Sequence, residues 1–327
     1  MRTRGLLVAG LLNAAGAAFG AGFSELEIYP GNGVATNVAA IGGAVNVTVN
    51  PGASGGGIVT LSGANTYYGS TTLGCGTLVA ESLADGFSAC SIGTSSASVS
   101  NLVLRNGTLL YQGVPVSTDH GYTVSVDPAK ANYAAVLQAD GDITFRGNVS
   151  TLCGNFIKSG TGTVAYASAG SNQFNRAPSS GLNSVIDFKA NGDSPTVGYS
   201  GFNVTAGKVV FGLNAGQTNY FTAEMVVGLP TTTVAGKETE AYVDFVGGMN
   251  YLGDWLGIGR GNGTTTTAPA GLSSRVTIYN GYVRVSNLSM GYSANISGYN
   301  ARPVLDLFGG ALSLFEFLPG LSIAFRV

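Results

Sequence analysis

The sequence predicts an all-β protein, a single-stranded right-handed parallel β-helix (β-solenoid) with little helix. Three observations support this prediction. The chain has 327 residues with 51 glycines and only 10% charged residues, whereas globular domains usually carry about 25% charge. Residues 54–79 contain three short β runs and two glycine-rich turns, which leaves no room for hairpins with long arms. No segment shows a convincing amphipathic helical period.

The stretch 54–79 is predicted to form one coil of the β-helix. Its turns contain Gly and Asn, which supply the positive φ angles that β-branched residues avoid. Its β runs lie at 58–61, 70–73 and 76–79. Because side chains alternate along a strand, Leu61, Leu73 and Leu78 are predicted to point inward. There they would join stacked ladders of Val, Leu, Ile and Phe.

The same stretch carries a repeat pattern of Gly, Asn, Thr, Tyr and alternating apolar residues. The positions that carry it are Gly57, Val59, Leu61, Gly63, Asn65, Thr66, Tyr67, Gly69, Thr71, Leu73, Gly76, Thr77 and Leu78. In these positions the chain resembles the autotransporter-associated β-strand repeat of bacterial autotransporter passenger regions. The resemblance implies an adhesin-type protein that is secreted or held at the outer membrane, and it implies no particular activity.

The resemblance also implies a C-terminal translocator barrel, which needs many strands of about ten residues. No such region is present in this chain. The sequence therefore predicts either a passenger that is truncated at its C-terminus or a likeness confined to the repeats.

A second, looser repeat has an apolar residue before Gly, a variable polar loop, and two alternating strands joined by Asn-Gly or Gly-Gly. It occurs three times, at 91–110, 257–285 and 289–314. Asn106-Gly107 and Asn280-Gly281 are compatible with type I′ hairpins or with solenoid corners. The surrounding repeat favours corners.

The chain divides into three predicted parts. Residues 1–22 are typical of a signal peptide, because Arg2 and Arg4 precede a short apolar run and small residues offer a cleavage site. Residues 23–51 are predicted to form an N-terminal cap or lead-in, and 52–327 the β-solenoid. Loops are predicted to project at about 117–139, 223–242 and 261–274. We expect an exported protein with no membrane-spanning segment once the signal is removed.

Charge and cysteine content exclude several classes of function. The net charge of −2 comes with no basic field, so nucleic acid is not an expected partner. Cys75 and Cys90 are close enough in sequence for adjacent coils to pair them in a disulfide, with Cys153 left over. No C-x-x-C spacing occurs, and the glycine-rich stretch 259–263 lacks the ending of a phosphate loop. Neither a metal nor a cofactor is expected.

Two groups of polar residues are weighed as catalytic sites. The single histidine, His120, has no recognisable triad partners and is expected in a loop or surface role. Asp140 and Asp142, followed by Arg146, form the nearest carboxylate cluster. Catalysis or calcium binding would use such a cluster, but two acids on one short turn more often form a solvated corner.

One aromatic group is weighed as a binding site. Trp255, Tyr251 and Tyr242 are close in sequence and would form a platform for sugar if their faces were exposed. Core packing or ladder stacking explains the same residues in a chain with fifteen tyrosines and fifteen phenylalanines.

No catalytic, cofactor-binding or metal-binding residue is therefore predicted. The sequence favours a secreted or cell-surface structural module, not an enzyme, that presents loops to a glycan or protein ligand on host or other cell surfaces. One alternative is a carbohydrate-active β-helix enzyme, a polysaccharide lyase or hydrolase. The other is a phage tail-fibre-like shaft, which would assemble as a stable trimer.

Overall fold

The protein is all-β over the part of the chain that the structure describes. This part of the computed structural model comprises residues 22–52, 55–126, 134–153, 155–174, 201–221, 224–228, 239–259, 272–291 and 301–316. Within these ranges the strands pair in parallel, and the helical content is one 3-10 turn at Val99–Asn101.

The strands are short and follow one another closely along the chain. In chain order they are β1 Ser24–Ile28, β2 Ala35–Val38, β3 Gly42–Gly43, β4 Val45–Val49, β5 Ile58–Leu61, β6 Thr66–Tyr67, β7 Thr71–Ala80, β8 Leu102–Tyr111, β9 Val116–Thr118, β10 Tyr122–Ser125, β11 Ala134–Ala139, β12 Ile143–Phe145, β13 Val149–Cys153, β14 Asn155–Ser159, β15 Thr163–Tyr166, β16 Ser171–Gln173, β17 Gly201–Val204, β18 Gly207–Phe211, β19 Thr218–Phe221, β20 Glu224–Val227, β21 Thr239–Phe245, β22 Met249–Ile258, β23 Leu272–Ile278, β24 Tyr282–Met290, β25 Ala301–Leu307 and β26 Ala311–Glu316.

These strands form a 17-stranded sheet, a 7-stranded sheet and the two-stranded pair β3–β6. The 7-stranded sheet runs β9–β12–β15–β18–β21–β23–β25, each strand parallel to the next. The large sheet contains two columns of parallel strands, which the long strands join. The N-terminal part of β7 pairs with β4, for example, and its C-terminal part pairs with β5.

The core lies between the sheets and is built of ladders in which one residue type stacks on its like. In the 7-stranded sheet one inward row contains Ile143, Val164, Val209, Val243 and Val276, all buried and in register. β-Branched residues suit this pleated, fully buried surface. The predicted apolar ladders are confirmed for these residues.

Aromatic residues form a second inward row and bridge the two large sheets. Tyr166, Phe211 and Phe245 stack along the 7-stranded sheet with ring centroids 5.2 and 5.6 Å apart. Phe211 also meets Phe221 of the 17-stranded sheet edge to face at 5.3 Å. Because rings from both sheets interlock, this part of the core fixes how the sheets face each other.

The inward leucines and the first β run predicted for residues 54–79 are confirmed. Leu61, Leu73 and Leu78 are fully buried, and the first β run is β5. The other two predicted runs are one continuous strand, β7, although Gly76 inside it has a φ of +65°. The glycine therefore bends the strand between the two columns of the large sheet and does not end it.

The two Asn-Gly pairs differ from one another. Asn106-Gly107 lies inside β8 and pairs in parallel with Cys75 and Gly76, so the hairpin alternative is wrong. The favoured corner is not a break between two strands either, because β8 continues through it from the pairing with β10 to the pairing with β11. Asn280-Gly281 is a corner between β23 and β24, with Gly281 at a φ of +89°.

Several predicted segments fall wholly or partly outside the described residues. The signal peptide does so except for its last residue, and so does the end of the chain after residue 316. Residues 23–51 contribute β1 to β4. The outer parts of the three predicted loops belong to strands β9 to β11, β20 to β21 and β23, and their centres at 127–133, 229–238 and 260–271 are not described.

The disulfide that the sequence leaves open between Cys75 and Cys90 is not formed, because both cysteines are free and buried. The thiol of Cys75, inside β7, donates to the carbonyl of Asn50 at 3.4 Å, and that of Cys90 donates to the carbonyl of Gly93 at 3.2 Å. The side chain of Cys153 lies outside the described part of the structure.

Candidate functional site

The chain leaves the sheets between β7 and β8, and residues 81–98 form a surface loop there, the 81–98 loop. Its base is closed by Ser91. The Ser91 hydroxyl accepts hydrogen bonds from the backbone N–H groups of Glu81 and Ser82, at 3.1 and 3.0 Å. The Ser91 N–H donates back to the Ser82 carbonyl at 3.1 Å. Such reciprocal bonds satisfy backbone groups that no sheet partner reaches.

The tip of this loop is a four-residue turn, Asp85-Gly86-Phe87-Ser88. The N–H of Ser88 donates to the carbonyl of Asp85 at 3.0 Å, which closes the turn. The N–H of Phe87 donates to the carbonyl of Ser95 at 3.1 Å. The turn is therefore held both by itself and by the returning half of the loop.

Carboxylates anchor the turn to the neighbouring layer of strands. Asp119 accepts a hydrogen bond from the N–H of Gly86 at 2.6 Å, and Asp85 accepts one from the N–H of Asp119 at 3.0 Å. Asp85 also forms an ion pair with Arg146, at 2.5 Å, while the Nε of Arg146 donates to the hydroxyl of Ser117 at 3.0 Å. The hydrogen bond from Arg146 lowers the pKa of Asp85. Because both partners are about half exposed, the ion pair itself adds little stability.

His120 lies beside this anchor but inside the core. The side chain is 1% exposed, and neither ring nitrogen has a hydrogen-bond partner. Burial lowers the pKa of His120, and the nearby charges of Asp119 and Asp85 only partly oppose this. His120 thus lies in the loop between β9 and β10, as one of the two expected roles requires, but the expected surface position is wrong. The imidazole is not hydrogen-bonded to a nucleophile as a catalytic base would be.

The predicted carboxylate cluster is divided by the structure. Asp142 accepts a hydrogen bond from the N–H of Thr163 at 2.7 Å, and Asp140 accepts one from the side chain of Gln138 at 3.3 Å. Arg146, which the sequence groups with them, pairs with Asp85 instead. The two aspartates are exposed, as a solvated turn requires; Asp140 bonds within its own corner, and Asp142 bonds to the start of β15.

Sequence reasoning missed Lys158, whose side chain is fully buried in this same region. Its Nζ donates to the carbonyls of Gly160, Gly162 and Ala206, at 2.8, 2.6 and 2.8 Å. Burial lowers the pKa of Lys158 to about 8, although the charges of Asp140 and Asp142 oppose the shift. Strand alternation was the available signal, because Lys158 faces the same way as the buried Phe156.

The aromatic platform weighed from the sequence is not assembled, and Tyr251 instead takes part in the ladder stacking that the sequence favours. Tyr242 lies in the 7-stranded sheet, whereas Tyr251 and Trp255 lie in β22 of the large sheet, on either side of a shift in register. Tyr251 instead stacks on Tyr220, with ring centroids 5.3 Å apart and planes 11° apart, and meets Tyr282 edge to face. Because Tyr220 and Tyr251 cover one face of each other, they form a surface ladder along the sheet.

The described residues contain no group of three or more His, Cys, Asp or Glu side chains arranged to hold a metal ion. They also contain no helix of the length and apolarity that crossing a membrane requires.

The described chain thus defines an all-β protein of parallel strands, with a surface loop that carboxylates hydrogen-bond to the neighbouring layer. It is similar to the Adhesin BmaC autotransporter of Brucella suis biovar 1 (strain 1330), with 36% identity over 167 residues. The similarity covers 50% of this chain but only 5% of that relative, so the chain spans a small part of the relative's length. No protein-family model and no solved structure matches the chain.

Proposed function

We propose that this chain is an adhesin-like passenger module, exported to the cell surface, which binds a ligand on another surface through its projecting loops. The similarity to an autotransporter adhesin carries this proposal, because it covers half of the chain. The role is structural and not enzymatic. The rigid sheets hold binding loops in place, and the carboxylates of the predicted cluster are used in backbone and side-chain hydrogen bonds.

The sheets, in this proposal, are the faces of one right-handed parallel β-helix. The pairing supports it, because each strand lies beside a later strand in parallel and in chain order. The long strands that serve two columns support it as well, since β7 and β8 stack over nine residue pairs across the bend at Gly76 and Gly107. A crystal structure of the full chain would test the winding; a left-handed or open arrangement would contradict it.

Adhesion is tested with the purified full chain coated on fluorescent beads. We expect the beads to bind monolayers of cultured epithelial cells more than beads coated with albumin do, and soluble chain to compete with them. Binding no stronger than that of albumin beads would overturn the adhesin proposal. Cleavage of a polysaccharide by the same preparation, abolished in Asp140→Ala, would instead support the enzyme alternative, and a stable trimer in solution would support the fibre alternative.

Export is tested separately. When the full gene is expressed in a Gram-negative host, we expect the exported chain to begin near residue 22, as the predicted signal peptide requires. Retention of the intact N-terminus in the cytoplasm would contradict export by this segment.

A further inference from the structure

Phe87 is exposed and also has an unfavourable backbone conformation. Its side chain is 81% exposed, more than any other large apolar side chain in the described residues, and its φ is +67°. Asn50 is the other non-glycine residue with positive φ in this part of the chain. Asparagine tolerates that region, and the Asn50 amide donates to the carbonyl of Gly57. Phenylalanine is strained there, because its bulky side chain has no polar group that could bond to the nearby backbone.

The turn explains where the strain comes from. Asp85 and Ser88 close a β-turn in which the third residue has positive φ, the pattern of a type II turn, and glycine usually occupies that position. Here the glycine is one place earlier. Gly86 is required at its own position, because a β-carbon there would lie 2.8 Å from the backbone nitrogen of Ala97. Close packing thus requires the glycine at position 86, and Phe87 occupies the positive-φ position of the turn, where glycine would be less strained.

The loop holds Phe87 in one place. Hydrogen bonds to Ser95, Asp85 and Asp119 fix the turn on three sides. An aromatic side chain on a fixed backbone loses little entropy when it binds, so it is suited to be the anchor of an interface. Strained conformations that the surroundings enforce are found mainly at functional positions.

Phe87 stands at one end of a surface strip with a second exposed apolar residue at the other end. Segment 81–86 runs beside segment 113–119, since the hydroxyl of Thr118 donates to the carbonyl of Ala84 and Gly113 packs against Glu81. Val114, at the far end, is 80% exposed. Between Phe87 and Val114, polar side chains of the strip pair with one another, as Asp85 and Arg146 do.

We infer that this strip, from Phe87 to Val114, is a protein-binding surface and that Phe87 inserts into an apolar pocket of a partner protein. A protein fits better than a glycan for two reasons. The charged side chains around the turn already bond to backbone N–H groups, to the hydroxyl of Ser117 or to each other, so few remain for sugar hydroxyls. The exposed ends of the strip are apolar, and aromatic anchors in apolar pockets dominate the energetics of protein interfaces. The inference specifies the ligand of the adhesin proposed above and rests on that proposal for its biological setting.

Phe87→Asn and Phe87→Gly test the inference, because both residues accept positive φ and neither fills an apolar pocket. Phe308→Asn is the matched control, since Phe308 is also an exposed aromatic residue, 70% exposed, at a distant corner. The full chain is applied to epithelial cell monolayers left untreated, treated with protease, or oxidised with periodate. We expect both Phe87 variants to bind at least about tenfold more weakly than wild type with an unchanged or higher melting temperature. Phe308→Asn should stay within about twofold of wild type, and protease but not periodate should abolish binding.

Binding by the Phe87 variants equal to that of wild type would overturn the inference, and so would loss of binding after periodate, which would indicate a glycan. A dimer of wild-type chain that Phe87→Asn dissolves would make a second copy the partner and would also overturn it.

A second arm separates this inference from the proposed function. A phage-displayed random peptide library is selected on the wild-type chain, and the enriched peptides are measured against Phe87→Asn. Peptides that bind the variant at least about tenfold more weakly support the surface even if wild type binds no cell. A peptide pool that binds both proteins equally overturns it, whatever the cell assay gives.

Discussion

The amine of Lys158 fills the space that Gly207 leaves empty. A β-carbon on Gly207 would lie 2.3 Å from the Nζ of Lys158, and 2.4 Å from the carbonyl oxygen of Gly160 that the same amine binds. Gly207 also has a φ of +68°. The buried charge of Lys158 therefore depends on the absence of a side chain at Gly207. Backbone carbonyls of two neighbouring layers surround this single ammonium group.

Gly207→Ala should destabilise the protein strongly for this reason. The new methyl group adds backbone strain of about 1–2 kcal/mol, and it displaces an amine whose charged hydrogen bonds contribute about 1.5–3 kcal/mol each. We expect a loss of about 3 kcal/mol or more in the free energy of unfolding, measured by urea denaturation. Gly63→Ala is the control, because Gly63 also has positive φ but would meet nothing within 4 Å. Equal losses in the two variants would contradict the packing argument.

The buried amine should also make stability depend on pH. Burial lowers the pKa of Lys158 from 10.5 to about 8, so between these values the unfolded chain holds a proton that the folded chain has released. Stability should therefore rise from pH 8 towards 10, by at most about 3 kcal/mol over the whole interval. From about pH 9 the buried Cys75 and Cys90 oppose the rise, and above pH 10 so do the buried Tyr122 and Tyr166, because burial raises the pKa of each of these groups in the folded state.

Urea midpoints measured from pH 7.5 to 10 would check this. Lys158→Met should remove the rise, whereas Lys208→Met, which changes a partly exposed lysine paired with Asp244, should retain it. A rise that survives in Lys158→Met would assign the effect to another group.

Local pattern accounts for much of the fold but for little of the loop chemistry. Alternation along short apolar runs identifies Leu61, Leu73 and Leu78 as inward residues because that pattern depends only on the strand itself. It does not reveal that β7 continues through Gly76, since the bend depends on how neighbouring strands pair. The 81–98 loop is harder still, because the contact between Asp85 and Arg146 joins residues that are far apart in sequence.

The burial of His120 could not be predicted either, because it too depends on contacts between residues that are distant in sequence. Its neighbours in sequence are polar, which favours a surface role, and only the tertiary arrangement turns the ring inward. Local sequence also does not reveal that the positive φ of the turn falls on Phe87 rather than on Gly86, because Gly86 packs against the backbone of Ala97 in the returning half of the loop.

His120 should make the protein sensitive to acid. Its pKa is lowered by burial, so below the ordinary value of 6.5 the unfolded chain takes up a proton before the folded chain does. Stability is therefore full above pH 6.5 and falls as the pH drops towards the folded pKa. His120→Leu should flatten stability between pH 7 and 5 without loss at pH 7, because the ring nitrogens have no partner to lose.

Asp85→Asn is the matched control for His120→Leu. The pKa of Asp85 is held below 3.8 by Arg146, so the stability that this carboxylate adds is lost only at lower pH. Because the charge of Asp85 raises the pKa of His120, removing it should leave the slope between pH 7 and 5 in urea denaturation equal to that of wild type or steeper, and never flatter. If His120→Leu keeps the wild-type slope, the acid sensitivity belongs to another group.

The hydroxyls of Tyr122 and Tyr166 bond to each other inside the core at 2.5 Å, and both residues are buried. Tyr122→Phe or Tyr166→Phe alone leaves the other hydroxyl without this partner, which should lower the free energy of unfolding by about 1–3 kcal/mol. The double variant removes both groups and should be closer to wild type, so the double-mutant cycle should give a coupling energy of about 1–2 kcal/mol. Tyr67→Phe is the comparison, because its partner Thr71 keeps a second bond to the carbonyl of Ile92 at 3.3 Å. Tyr67→Phe should therefore lower the free energy of unfolding, measured by urea denaturation, by less than either of the other single changes. If the losses for Tyr122→Phe and Tyr166→Phe simply add in the double variant, the two hydroxyls do not act as a pair.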